Sequence, residues 1–125
     1  MSILLTRSQF LYIGNDPLLT KASTSLLRTA GYRVRSTSPS HVGDACRDHR
    51  YCAVILCATV SGEEANSIVE AIRLSQPEVP IISIQVGMLG DGPHPSSAVV
   101  VDALQGPQAF LAAVKSVAPL RQGAF

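Results

Sequence analysis

Ala53-Val54-Ile55-Leu56-Cys57 is an unbroken apolar run, introduced by Tyr51-Cys52. Successive side chains of a strand point to opposite faces, so a run with no polar member is apolar on both sides. Such a strand belongs inside a parallel sheet that is covered by helices on both faces. The rest of the chain is organised around it.

Upstream, residues 10–13 form a short apolar strand that ends in Gly14-Asn15-Asp16-Pro17. Asp16 is suited to cap a helix and Pro17 to occupy its first position. Leu18, Leu19, Ala22, Leu26, Leu27 and Ala30 then recur at helical spacing, and Gly31 stops the helix. Residues 32–36 alternate like a half-exposed strand, and Ser38-Pro39-Ser40 starts a second helix that runs to about Arg50. Downstream, Gly62–Ser75 carries Ala65, Ile68, Val69 and Ile72 at helical spacing, with Pro77 after its end. Residues 80–84 are a fourth strand and 98–101 a fifth. A last helix covers Pro107–Val117, with Phe110, Leu111, Val114 and Val117 turned inward. Strands alternating with helices require right-handed crossovers and a parallel sheet, which makes the fold class α/β.

With 125 residues the chain is long enough for one domain with one core region, expected over about 9–118, with 119–125 frayed. An apolar content of 46% against 15% charged residues is that of a globular protein. The net charge of +1, the scattered basic residues and the lack of Trp argue against nucleic acid or an anionic membrane as partner. Ile3-Leu4-Leu5 is too short for a signal-peptide core, and no run approaches the ~20 apolar residues of a membrane span. The expected location is the cytoplasm, where Cys46, Cys52 and Cys57 stay reduced.

Four stretches, in order and at matching spacing, resemble the receiver domains of response regulators. Residues 10–19, Phe-Leu-Tyr-Ile-Gly-Asn-Asp-Pro-Leu-Leu, are similar to that family's Ile-Leu-Leu-Val-Asp-Asp-Asp-Pro-Leu-Leu. Leu26-Leu27-Arg28-Thr29-Ala30-Gly31-Tyr32 resembles its leucine…Ala-Gly-Tyr junction. Tyr51 to Cys57 resembles Tyr-Asp-Leu-Val-Ile-Leu-Asp, and Pro77-Glu78-Val79-Pro80-Ile81-Ile82 resembles Pro-Asp-Val-Pro-Val-Ile. The resemblance implies a flavodoxin-like, doubly wound five-stranded sheet of order 2-1-3-4-5.

It also implies where the family's chemistry would sit. Two acids after strand one hold Mg²⁺ there, and an aspartate ending strand three accepts the phosphoryl group. A Ser or Thr after strand four and a Lys after strand five engage its oxygens. In this chain those positions fall on Gly14 and Asn15, on Cys57, and on Gln85 and Asp102, with the aromatic switch position at Val99. A thiol does not replace a carboxylate beside Mg²⁺, which selects oxygen ligands, and Asp16 alone beside Asn15 makes a poor site. The resemblance therefore implies a degenerate receiver with no metal or cofactor and no catalysis. The helix between strands four and five is expected to be shortened or lost, because Gly87, Gly90, Gly92, Pro93 and Pro95 oppose it. That face is the family's dimerisation surface, so a monomer or weak homodimer is expected. The loop 87–97 is then a candidate docking segment, with Met88 and Leu89 as its large apolar side chains.

Other chemistry is sparse. Cys46, His49 and Cys52 have metal-like spacing, but Cys57 would lie ~16 Å from Cys52 along an extended strand at ~3.3 Å per residue, so no fourth ligand is at hand. Glu63-Glu64 suit the positive end of their helix, and His41 and His94 stand apart. The glycines of 87–92 open no helix, which a phosphate cradle requires. The expected function is stand-alone signalling by phosphorylation-independent contact with a protein partner: a kinase, another regulator or an enzyme. The expected surfaces are Lys21, Ser25 and Arg28 on the first helix and the loops around Gly14, Cys57 and Gln85. The alternative is a small-molecule or redox sensor in the crevice at the strand C-termini near Cys57.

Overall fold

Strands Gln9–Ile13 (β1), Arg33–Thr37 (β2), Ala53–Leu56 (β3), Ile81–Gln85 (β4) and Ala98–Asp102 (β5) lie side by side, all parallel, in a computed structural model of the chain. Their order is β2-β1-β3-β4-β5, as expected. The structure describes residues 9–48, 50–57, 59–60, 62–85 and 98–117. The helices are Pro17–Thr29 (α1), Val42–Asp48 (α2), Gly62–Ser75 (α3) and Pro107–Val117 (α4). The expected loop over 87–97, the lost helix there, His49, His94 and the C-terminal tail all lie outside the described residues.

The sheet divides the interior in two because each strand alternates. Leu11, Ile13, Val54, Leu56 and Ile81 face α2 and α3, where Val42, Cys46, Ile68 and Ile72 meet them. Phe10, Tyr12, Ile55, Cys57 and Ile82 face the other way, onto Leu27 of α1 and Phe110 and Val114 of α4. Fully burying a side chain of this kind contributes about 1.5–3 kcal/mol, so both layers are needed to hold a chain of this size.

Local signals place the helix ends. The Asp16 carboxylate accepts from the Leu18 and Leu19 amides at 2.9 and 3.3 Å, with Pro17 in the first turn. At the other end Gly31 takes φ 101°. That lets its amide reach Arg28 O and the Tyr32 amide reach Leu27 O, both at 3.0 Å, the paired closure that a left-handed glycine permits.

Two expectations need correction. The leucines that open α1 are not its inward face: Leu18 is 80% exposed and Leu19 43%. Leu26, Leu27 and Ala30 do pack toward the sheet, but before them Ser23 and Thr24 take the inward positions, and Thr24 satisfies its hydroxyl on Thr20 O at 2.8 Å. The second helix is also shorter than 38–50. Pro39–His41 is a 3₁₀ turn, and the α-helix proper covers only Val42–Asp48.

One buried polar side chain ties α3 to the start of β3. Gln76, 5% exposed, accepts from the Tyr51 amide at 3.0 Å and donates to Cys46 O at 3.2 Å. Tyr51 in turn donates its hydroxyl to Ala45 O at 3.2 Å.

Candidate functional site

The strand order reverses between β1 and β3, and in sheets of this kind the crevice beyond the strand C-termini at that point is where ligands bind. Gly14 and Cys57 meet there. Register pairs Ile13 with Leu56, and the Cys57 amide donates to Ile13 O at 2.9 Å, which carries the ladder one residue further. Gly14 donates to Thr37 O at 3.1 Å on its other side. Asn15 and Cys57 thus lie at the same end of the sheet, with Asp16 next along the chain.

Cys57 is buried at 4% exposure. The Thr59 hydroxyl lies 2.7 Å from Asn15 Oδ1 and 3.4 Å from Cys57 Sγ. A hydroxyl has one proton and two lone pairs, so Thr59 donates to the carboxamide and can accept from the thiol. The row Cys57–Thr59–Asn15 joins the loops after β3 and β1 by hydrogen bonds between uncharged groups. Asp16 is engaged in capping α1. A Cβ added at Gly14 would lie 3.1 Å from both Cys57 Cβ and Tyr12 Cε1, and 3.3 Å from Thr20 Oγ1, so the space beside the thiol is already filled. Outside this row, residues 14–17 border an open hollow of about 330 Å³ with Thr20 and Ser36 to Ser38.

Gln85 and Asp102 are register partners at the ends of β4 and β5. Asp102 Oδ1 accepts from the Leu104 amide at 2.9 Å and thereby caps the 3₁₀ turn Ala103–Gln105. Val99 is half-exposed on the edge strand. A carboxylate stands where the resemblance implies a lysine.

The metal-like trio does not converge. Cys46 packs in the α2–α3 layer, whereas Cys52 packs against the α1–α4 layer, on the other side of the sheet. Among the described residues no three His, Cys, Asp or Glu side chains are grouped to hold a metal ion. Burial holds the Cys52 thiol up at about 11 and raises Cys46 as well.

Sequence reasoning passed over Tyr12, Ser23 and Thr59. Tyr12 lies on the same face as Cys57, and Tyr12, Ser23 and Cys57 line one cavity. Burial pushes the Tyr12 phenol far above its ordinary range, with Cys57 adding to the rise and Ser23 opposing it. The alternation of β1 against β3 was the available signal. The cavity, of about 230 Å³, opens between α1 and α4.

The sequence matches no protein-family model and no curated protein. Solved structures are similar to it. Vibrio cholerae chemotaxis protein CheY4 is 15% identical, with 89% of this chain and 98% of that one covered and a TM-score of 0.71. The receiver domain of the Pseudomonas aeruginosa sensor histidine kinase PA1611, solved with a magnesium ion in its active-site cleft, is 16% identical over 91% and 99%, at 0.74. A response regulator receiver protein from Sinorhizobium medicae is 15% identical over 94% and 99%, also at 0.74. Sheet order, helices on both faces and these likenesses agree: the chain has the fold of the response-regulator receiver domains.

Proposed function

We propose that this chain is a signalling module on the receiver fold that works by contact with a protein partner and without phosphorylation. The partner is a kinase, another regulator or an enzyme, met in the cytoplasm, and the chain itself catalyses nothing. The observation that carries this reading is the neutral row Cys57–Thr59–Asn15 with Gly14 packed against the thiol. Phosphoryl transfer depends on positioning and on neutralising charge at oxygen by metal and cation. Here a thiol stands at the acceptor, a glycine and a carboxamide at the acids, and Asp102 at the cation.

Contact chemistry is present on α1. Lys21, Ser25 and Arg28 are exposed, with Leu18 beside them. Arg28 also reaches Val34 O at 3.3 Å, which steadies its head over β2. Among the described residues no helix is long and apolar enough to cross a membrane.

The test is incubation with acetyl phosphate and Mg²⁺, read by intact mass. No phosphoryl gain is expected, for the native chain or for Cys57→Asp, and a gain in the native chain overturns the reading. A pull-down from native cytoplasm with Leu18→Ser/Lys21→Glu as control is expected to lose the partner. The sensor alternative is favoured by a separate observation, the cavity beside Tyr12.

A further inference from the structure

Close-packed interiors contain few voids larger than a water molecule. Between α1, α4 and the C-terminal half of the sheet this chain leaves about 230 Å³. This is a part-open pocket, and its volume exceeds the roughly 150 Å³ of an engineered cavity that takes up benzene, so it has room for a fused bicyclic molecule. Its walls are Leu26 of α1, Ile84 and Val101 of the sheet, and Phe110 of α4. No Lys, Arg, His, Asp or Glu is among the described residues that line it. A charged guest would give up part of its water with no charged side chain among the described lining residues to compensate it. The wall also includes three residues with polar groups, Tyr12, Ser23 and Cys57. Tyr12 and Cys57 are 1% and 4% exposed, so their side of the wall is held by the core. The partly exposed Leu19 lines the opening from the outer surface of α1.

We propose that this cavity is a binding site for a small, neutral, mainly aromatic molecule with one hydrogen-bonding group, which it presents to Tyr12 and Ser23. The apolar walls supply most of the affinity, and the two hydroxyls set the orientation, the usual division of labour in a ligand pocket. The site lies under α1, so occupancy acts on the helix that carries the contact residues Lys21, Ser25 and Arg28. The proposal stands apart from the contact reading, because its test involves neither a phosphoryl donor nor a protein partner.

Indole is the probe, with benzoate as a charged control of similar size, titrated into the full chain and read by methyl and amide NMR. Indole is expected to give saturable shifts at the methyls of Leu19, Leu26, Ile84 and Val101, and benzoate none there. Leu19→Trp, which fills the opening from an exposed position, is expected to weaken indole binding about tenfold or more, the factor that corresponds to 1.4 kcal/mol. Absence of saturable indole shifts at millimolar concentration, equal response to benzoate, or unchanged binding by a folded Leu19→Trp would each overturn the proposal. So would the same methyl shifts arising on concentrating the protein alone, which would assign the cavity to a second copy. The native-chain titration keeps the proposal falsifiable even where the variant fails to fold.

Discussion

Gly14 stands against Cys57 so closely that a Cβ at position 14 would come within 3.1 Å of the Cys57 Cβ. The position where the resemblance implies an acid is therefore occupied by the packing of its neighbours. A carboxylate restored there needs the β1 and β3 ends to move apart.

Gly14→Ala is expected to destabilise the chain by about 1 kcal/mol, since crowding a packed site outweighs the smaller gain from a stiffer unfolded chain. Cys57→Ala removes only the sulfur and is expected to cost about 1 kcal/mol. Because it keeps the Cβ that crowds position 14, the double variant should show nearly the sum of the two. Urea denaturation measures all three, and a double variant as stable as either single one would contradict this geometry.

Gln76 holds two backbone groups from different elements, the Tyr51 amide and the Cys46 carbonyl. Gln76→Leu leaves both without this partner in a buried place, and each orphaned group costs about 1–3 kcal/mol. A loss of about 2–4 kcal/mol in chemical denaturation is expected, together with faster hydrogen exchange at the Tyr51 amide. Exchange unchanged there would show that another group takes over the bond.

Tyr32 presents the opposite case. Among the described residues its buried hydroxyl has no hydrogen-bond partner, while its ring meets Phe10 edge-on at 5.0 Å. Tyr32→Phe keeps the ring contact and removes the unpaired group, so it is expected to be neutral or stabilising by up to about 1 kcal/mol. A marked fall in melting temperature would reveal a partner for that hydroxyl.

Stability should decline on the alkaline side. Burial raises the Cys52 thiol from 9.0 to about 11, and raises Cys46 and Tyr12 as well. Each group is held neutral in the fold, so the unfolded chain loses its protons first. The stabilisation is fully present below about pH 8.5, where unfolded thiols begin to ionise, and is lost as the pH rises toward the folded values. Thermal melts from pH 7 upward in reductant should show this fall, and Cys52→Ala should lessen it. A flat profile would mean that the thiols are solvated in the fold.

The sheet was legible in the sequence because its strands are apolar on both sides: residues 53–57 named the central strand, and 10–13 and 80–84 its neighbours. Asp16, Pro17 and Gly31 marked the ends of α1 through caps that act locally. The inward face of the first turns of α1 was not legible, since its leucines outnumber the positions that face the sheet and the inward stripe begins with hydroxyls. The crowding of Gly14 on Cys57 could be placed by aligning strand ends, whereas the shared cavity of Tyr12, Ser23 and Cys57 depends on register and helix phase together. Cys46 and Cys52 lie on opposite sides of the sheet, which their spacing alone does not tell.

Parallel pairing has a consequence for how this chain is made. Gln9 pairs with Arg33 on one side and Phe10 with Ala53 on the other, so β1 has no partner close by in sequence. During synthesis from the N-terminus its apolar side chains leave the ribosome long before β3 exists to cover its second edge. Until then the strand is an open template for other chains. The strand that later pairs along both edges, with β2 and β3, is thus the one most in need of a chaperone at birth.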